Sequence, residues 1–230
     1  MNETIRVLDV NIDNCSAKQA MKASVEYMGT AVTSVVELVT IEALLCAKDE
    51  PELKAAIEQS DLVLPGQKEI LEAAGIAETR RIQETNAQTY LKMYLKYLHK
   101  NHCRIYLLVE TEEELDGLTA CLSACYRGIQ IVGAAKVAPG SETDDMLVNA
   151  INGVEADSVI AILSPPVQEE FIARNRSLIN ARMWLGAGKL MEPIYKEESR
   201  RGRWRSFVDR LFFKREIEKN RREMKVQEEI

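Results

Sequence analysis

Polar side chains and glycines stand directly after several runs of β-branched residues, where loops leave predicted strands. These positions are Thr40, Gly66, Gln168, Glu169, Gly186 and Gly188. At the carboxyl ends of parallel strands, loops and helix starts offer unpaired N–H groups that bind anionic ligands. Gln168 falls in the first turn of a predicted helix, where its amide could hold a sugar or phosphate oxygen. The alternative is a satisfied helix start, with Glu169 complementing the helix dipole.

Other kinds of site find little support in the sequence. There is no GxGxxG, Walker, HExxH or GxSxG motif, which argues against dinucleotide, P-loop, zinc-protease and serine-hydrolase chemistry. The two histidines, His99 and His102, fit a solvent-exposed helix end better than a metal site beside Cys103. Five cysteines without a CxxC motif predict free thiols. We therefore expect no metal and no cofactor.

The elements that would position these residues alternate between short apolar strands and helix-length amphipathic stretches. Ser158–Leu163 is the clearest strand, Ile5–Val10 is predicted as the first strand and Thr85–His99 as one helix. Ser16 and Thr40 are predicted to cap helices. This alternation continues to about residue 190 and predicts an α/β fold with a mostly parallel sheet flanked by helices.

Charge is distributed unevenly over the 230 residues. The net charge is -6, but the segment Lys196–Lys225 holds 12 basic and 6 acidic residues, which leaves about -12 for the rest. Binding the phosphate backbone of a nucleic acid requires a basic surface, and the rest of the chain is acidic. No nucleic acid is therefore expected as a partner. Because the sequence has neither a bilayer-spanning apolar run nor the build of a signal peptide, a cytoplasmic location is expected.

The basic segment has the pattern of an amphipathic helix. Trp204, Phe207 and Leu211 recur at helical spacing, and arginines surround them. Aromatic side chains beside arginines favour an interface with anionic head groups. A terminal helix that docks on the core through its apolar stripe is the alternative interpretation.

Several segments of the sequence resemble a known family in their order and spacing. They are Asp61–Pro65, Arg81-Ile82, Ile131–Gly133, Leu163–Glu169 with Phe171–Arg174, and Gly186–Gly188, followed by the basic aromatic tail. In this arrangement the chain resembles the WecG/TagA/CpsF family of glycosyltransferases, from the first predicted strand to about Arg222. The most specific piece is the turn Pro166-Val167-Gln168-Glu169 after a buried strand.

The resemblance implies a function and a domain organisation. Members of the family transfer N-acetylmannosamine or a related hexosamine from a UDP-sugar to an undecaprenyl-diphosphate-linked sugar, with inversion and without a metal. The implied architecture is a Rossmann-like domain over residues 1–195 and a basic C-terminal helical appendage over residues 196–230. The appendage would close over the site at the inner face of the cell membrane, and relatives self-associate, so a homo-oligomer is a further expectation.

The resemblance also implies roles for individual residues. Matching substrate-binding positions are Thr40, Arg81, Gln168, Glu169, Gly186 and Gly188, and those for a lipid diphosphate or the membrane surface are Arg200, Arg203, Arg215 and Arg222. Arginine forks bind phosphate groups bidentately, which suits a sugar diphosphate. A surface salt bridge for Arg81, and a tight strand-to-helix turn for the two glycines, are the alternative interpretations.

The sequence departs from the family pattern where the chemistry would be done. The family has an Asp, the expected general base, after the proline of the third-strand loop, and this chain has Gly66, which cannot take a proton. Glu69, one turn into the following helix, is the possible substitute, and Glu37 is a second candidate.

Four further departures lie at predicted ligand-facing positions, one of them at the family's Thr-x-Asn, of which only the hydroxyl of Thr40 remains. Val109-Glu110 replaces a glycine pair, Lys189 replaces a glycine, and Val167 replaces a lysine. Side chains hinder close backbone approach to a diphosphate, and Glu110 would repel phosphate. Two hypotheses follow: an active hexosaminyltransferase that uses another carboxylate, or a catalytically degenerate homologue that acts as a binding or assembly partner.

Overall fold

The computed structural model describes residues 3–137 and 144–196. The strands are β1 (Thr4–Val7), β2 (Val10–Asp13), β3 (Ser34–Val39), β4 (Leu62–Pro65), β5 (Arg104–Val109), β6 (Gln130–Lys136), β7 (Ser158–Ile162) and β8 (Met183–Gly186). The helices are α1 (Ala17–Tyr27), α2 (Ile41–Asp49), α3 (Pro51–Glu58), α4 (Lys68–Ala73), α5 (Thr79–Asn86), α6 (Thr89–Lys100), α7 (Glu112–Cys125), α8 (Asp144–Gly153) and α9 (Val167–Asn175). Arg176–Leu178 and Gly188–Met191 form 3₁₀ turns.

Six strands form one sheet in the order β4-β3-β8-β7-β5-β6, and every neighbouring pair is parallel. Parallel strands require long crossover connections, and helices supply them here. The α/β, Rossmann-like fold with a mostly parallel sheet flanked by helices is therefore confirmed.

The two faces of the sheet pack against different helices because successive side chains of a strand point to opposite sides. Val36 and Leu38 of β3 join the core that contains α1, α6 and α7. Val35 packs with α8 and α9, and Val39 packs with α2 and α3. Each fully buried aliphatic side chain contributes about 1.5–3 kcal/mol relative to exposure.

The amino-terminal segment differs from its prediction as one strand. Leu8 and Asp9 have φ angles of 48° and 66°, and they form the turn of an antiparallel hairpin between β1 and β2. Aspartate tolerates this left-handed region better than most residues, and such two-residue turns match the twist of a hairpin. The Asp13 carboxylate then accepts the N–H of Val63, at 2.9 Å, and so covers the sheet edge formed by β4.

Side-chain caps explain the starts of two helices, and a residue with a positive φ angle explains the interruption of a predicted helix. Ser16 forms a capping box with Gln19, and the Thr40 hydroxyl accepts the N–H of Ala43 at 3.1 Å, as predicted. The predicted helix Thr85–His99 is instead divided between α5 and α6. The division falls at Gln88, whose φ of 51° cannot continue a right-handed helix.

The described helices include no membrane-spanning helix, and most of the predicted C-terminal appendage lies outside the described residues. None of the helices in residues 3–137 and 144–196 combines the length and the apolar content that spanning a bilayer requires. Apart from Lys196, the predicted appendage over residues 196–230 lies outside the described residues. The division into 1–195 and 196–230 stays a prediction.

Candidate functional site

The predicted site residues of the core gather along the carboxyl edge of the parallel sheet. Val39 pairs with Pro65 in the sheet, and Gly186 pairs with Glu37 and Ala161. The loops after β3, β4, β7 and β8 therefore leave the sheet on the same side. This edge is where open α/β sheets bind their ligands.

Gly66 occupies a closed position after β4. Its N–H donates to the carbonyl oxygen of Val39 at 2.8 Å, and its carbonyl oxygen accepts from Nε2 of Gln88 at 2.9 Å. A Cβ at this position would lie 2.4 Å from Cδ1 of Leu190 and 2.8 Å from the Val39 carbonyl oxygen. A side chain therefore fits here only if Leu190 and the backbone move.

The two candidate substitutes for the base have opposite surroundings. Glu69 lies exposed in the first turn of α4. Glu37 of β3 is 1% exposed, and its Oε1 accepts from Nε2 of Gln168. Burial raises the pKa of Glu37 well above its ordinary value, the Glu169 charge raises it further, and the Gln168 bond opposes both. Glu37 is thus enclosed in the core, whereas Glu69 faces solvent.

Gln168 joins the helix α9 to two strands of the sheet. Its Nε2 donates to Glu37, and its Oε1 accepts the N–H of Gly188 at 3.1 Å. A Cβ on Gly186 would lie 2.0 Å from Oε2 of Glu37 and 2.7 Å from Nε2 of Gln168. Gly186 is therefore needed for close packing, and Gly188 for its φ of 49°.

Glu169 adds a second buried carboxyl to this region. It is 2% exposed, and its Oε2 has no hydrogen-bond partner within the described part of the chain. Burial raises the pKa of Glu169 to about 7; its own backbone N–H opposes the shift, and Glu170 and Glu42 add to it. We call Glu37, Gln168 and Glu169 the buried acid cluster.

Arg81 lies near the same edge but on the other face of the sheet. It is 8% exposed, and its NH1 atom donates to Oδ1 of Asn14 at 2.9 Å. With Leu38 and Pro65 it lines a cavity of about 40 Å³. Leu38 and Glu37 are successive residues of β3, so Arg81 and Gln168 approach from opposite faces.

The cavity beside Arg81 is small. A water occupies about 30 Å³ of liquid, and small-molecule sites measure roughly 300–1,000 Å³. In the described arrangement the cavity therefore has room for about one water. Cys15 also lines it, and burial raises the pKa of this thiol to about 11, with the Asp13 charge adding and the Arg81 charge opposing.

Thr40 and the following loop are linked by side-chain bonds. The Thr40 hydroxyl is half-buried and caps α2, as described above. Oε1 of Gln67 accepts the N–H of Ile41 at 2.8 Å, so the loop after β4 also holds the start of α2. Gln67 was not predicted from the sequence to hold the start of α2.

A second cluster joins the loops after β5, β7 and β8. Nζ of Lys189 lies 2.6 Å from Oε2 of Glu110 and 2.5 Å from Oε1 of Glu114. Glu110 also accepts the N–H and the hydroxyl of Ser164, at 2.5 and 3.0 Å. We call Glu110, Glu114, Lys189 and Ser164 the ion-pair cluster. Two of the predicted departures, Glu110 and Lys189, are thus direct partners.

The electrostatics of the ion-pair cluster follow from these contacts. Burial alone would raise the pKa of Glu110, but the bonds from Lys189 and Ser164 outweigh it and lower the pKa. The capping box Thr111-Glu112-Glu113-Glu114 places Glu114, since Oε2 of Glu114 accepts the N–H groups of Glu110 and Thr111. That box is visible in the sequence, although the pairing with Lys189 is not.

Arg200, Arg203, Arg215 and Arg222 lie outside the described residues. Among residues 3–137 and 144–196, no group of three or more His, Cys, Asp or Glu side chains is arranged to hold a metal ion. The roles of Thr40, Arg81, Gln168, Glu169, Gly186, Gly188 and Glu69 in substrate binding or catalysis stay predictions.

Comparison with known proteins identifies the family. The sequence model of the glycosyl transferase WecG/TagA/CpsF family matches residues 5–208, which is most of the chain. A search of curated proteins found no match. The chain belongs to the WecG/TagA/CpsF glycosyltransferase family, and the resemblance inferred from the sequence is confirmed.

Proposed function

We propose that this member of the family acts as a binding or assembly partner in cell-wall or capsule polymer synthesis and has lost sugar transfer. The ion-pair cluster carries the proposal. Lys189 and Glu110 stand at two positions where the family resemblance implies glycines beside a diphosphate, and they contact each other at 2.6 Å. Glycines would let a diphosphate come close to the backbone. The paired side chains occupy that space instead.

The charges of this cluster oppose a diphosphate as well. The Glu110 side chain is 19% exposed, and three hydrogen bonds from Lys189 and Ser164 hold it. A diphosphate would need to displace Glu110 from Lys189 or accept a carboxylate beside its own charge. Glu110 and Glu114 together also outweigh the single positive charge of Lys189, so the cluster is net negative and would repel phosphate.

The closed surroundings of Gly66 support the same proposal. The family base would need space that Leu190 and the Val39 carbonyl oxygen now occupy. Replacing Gly66 with Asp alone would therefore disturb packing while it adds a carboxylate. For this reason the ion-pair cluster is the better target for a test.

The second candidate function is the family reaction itself, and the position of Glu69 favours it. Glu69 is exposed three residues after Gly66, at the carboxyl edge of the sheet. In this hypothesis its carboxylate takes the proton of the acceptor hydroxyl, and that oxygen attacks the anomeric carbon of the donor sugar. UDP leaves from the opposite side, so the configuration at that carbon is inverted. The substrates would be a UDP-hexosamine and a polyprenyl-diphosphate-linked sugar.

In both hypotheses the expected place of action is the inner face of the cell membrane. The basic tail, with Arg200, Arg203, Arg215 and Arg222, would attract anionic head groups or a lipid diphosphate. Self-association is a further part of the proposal, since relatives implied by the resemblance form oligomers.

Calorimetry with UDP separates the two functions. We expect no binding by the wild-type chain at UDP concentrations up to about 1 mM, the upper end of usual substrate affinities. The double variant Glu110→Gly/Lys189→Gly should gain measurable UDP affinity, because it removes the paired side chains. The matched control is Glu112→Gly/Lys136→Gly, which removes an exposed Lys–Glu pair of 2.7 Å and should gain nothing.

An enzymatic assay completes the test. Release of UDP from UDP-N-acetylmannosamine and other UDP-hexosamines would be measured with a soluble lipid-diphosphate-sugar analogue. Tight UDP binding and turnover by the wild-type chain, abolished by Glu69→Gln, would establish the family reaction and refute the loss of transfer.

A further inference from the structure

An apolar groove runs between α1 and α6 on the outside of the molecule. Met21 and Val25 line it from α1, and Met93 and Tyr97 line it from α6. Each pair is four residues apart, so each forms one stripe along its helix. The groove has a volume of about 400 Å³, and Val25 is 43% exposed. The face is therefore wide enough to receive apolar groups from outside.

Lysines border this groove. Lys96 and Lys100, with His99, line it from α6, and Lys22 of α1 is adjacent to Met21 with its side chain 82% exposed. The two helices together contain five lysines and one acidic residue, Glu26, which lies 3.9 Å from Lys22. This face is thus positive, although the chain outside Lys196–Lys225 carries about -12.

We infer that the outer face of α1 and α6 docks on an anionic lipid bilayer. Val25 and the partly exposed Met93 and Tyr97 can enter the boundary of the acyl region while the flexible lysine stems carry their charges to the head groups. Tyr97, with an apolar ring and a polar hydroxyl, suits the same boundary.

The composition of the face favours lipid over other occupants. Cores of protein–protein interfaces are depleted in lysine and enriched in arginine, whereas this groove is bordered by lysines. The chain's own basic tail does not fit this groove, because its positive charges would be repelled by the lysines that border the groove.

The tail and this face would act together. Stable attachment to a membrane generally takes two weak signals, and the basic aromatic segment after Lys196 would be the other one. The inference does not depend on whether the sheet edge binds a nucleotide, so calorimetry with UDP and the vesicle experiment can fail independently.

Co-sedimentation of the full chain with lipid vesicles tests the inference. Vesicles of phosphatidylcholine with about 30 mol% phosphatidylglycerol should bind the wild-type chain, and pure phosphatidylcholine should bind it far less. Each lysine near an anionic surface contributes about fivefold, so Lys96→Gln/Lys100→Gln should weaken partition by roughly 30-fold. Val25→Ser should also weaken it, because Val25 would be buried in the boundary.

The control variant removes two lysines from a different surface. Lys48→Gln/Lys54→Gln, near the hairpin turn, has the same charge change and should bind the vesicles within about twofold of wild type. Wild-type partition by Lys96→Gln/Lys100→Gln would overturn the inference. So would a stable dimer in solution that Val25→Ser converts to monomer, since the groove would then be occupied by a second copy.

Discussion

The buried acid cluster and the ion-pair cluster place carboxyl groups at the same sheet edge in two different ways. Glu37 and Glu169 are 1% and 2% exposed, and each has one oxygen without a partner among the described residues. Glu110 and Glu114 share Lys189 and keep side-chain exposures of 19% and 11%. Burial raises the pKa of the first pair, and pairing lowers the pKa of Glu110.

The comparison shows how one edge can hold carboxyl groups with and without charge. A carboxyl group removed from water without a cation favours its neutral form, whereas one beside an ammonium group stays ionised. Below about pH 7 the buried acid cluster is therefore mainly neutral, and Gln168 within it joins β3 and the turn after β8 to α9. The ion-pair cluster keeps two carboxylates and an ammonium group charged at the same edge.

Gly186→Ala should have the largest effect, because it breaks the packing of the buried acid cluster. The added Cβ would lie 2.0 Å from Oε2 of Glu37, a side chain that is enclosed and cannot move aside. We expect a loss of about 3 kcal/mol in the free energy of unfolding, as overpacking combines with a broken buried network. Urea denaturation followed by circular dichroism measures this loss.

The control for this variant is Gly153→Ala at the end of α8. A Cβ there meets nothing within 4 Å, and alanine is the better helix former by about 0.5–1 kcal/mol. Gly153→Ala should therefore be neutral or stabilising. If Gly186→Ala were equally harmless, Glu37 and Gln168 could not be packed as described.

The raised pKa of Glu169 should make the stability of the protein depend on pH. Its folded pKa of about 7 exceeds the ordinary value of 4.5, so the folded state binds more protons than the unfolded state between these values. Through Glu169 the free energy of unfolding should therefore fall by roughly 2 kcal/mol as pH rises from 4.5 to 7. Glu169→Gln should remove this contribution and leave the one that comes from Glu37, whose pKa is also raised; urea titrations at several pH values measure the difference.

An exposed glutamate provides the comparison for the pH experiment. Glu52, in the first turn of α3, is exposed, and Glu52→Gln should keep the wild-type slope. An unchanged slope in Glu169→Gln would mean that Glu169 is hydrated and ionised in the folded protein.

The sequence predicts the fold far better than it predicts these clusters. Runs such as Ser158–Leu163 and the caps Ser16 and Thr40 are local signals, and they gave the parallel α/β arrangement correctly. The hairpin turn at Leu8 was missed because leucine rarely adopts a positive φ.

The contacts of the site depend on residues far apart in the chain. Gln168 reaches Glu37 across 131 residues, and Lys189 reaches Glu110 across 79. Only the fold brings such partners together, so their residue types alone did not show whether they bind each other or a ligand. The opposite signs of Glu110 and Lys189 were the one hint that the sequence contained.

Glu→Gln substitutions in the two clusters should give the smallest but most selective effects. Glu110→Gln keeps the shape of the side chain and removes the charge that Lys189 binds at 2.6 Å. We expect it to cost about 1 kcal/mol at pH 7, a modest value because Lys189 is 39% exposed and keeps Glu114 as a partner. Chemical denaturation at pH 7 measures the cost.

Glu37→Gln is the matched substitution in the buried acid cluster, and it should change stability by less than about 0.5 kcal/mol. A protonated Glu37 and a glutamine both present an acceptor oxygen to Gln168 and a donor group at the second position, so the exchange preserves the bond. A large loss in Glu37→Gln would mean that Glu37 is ionised and has a cation or a network that stabilises its charge. If only Glu110→Gln loses stability, Glu110 is charged because it pairs with Lys189, and Glu37 is neutral because it is buried.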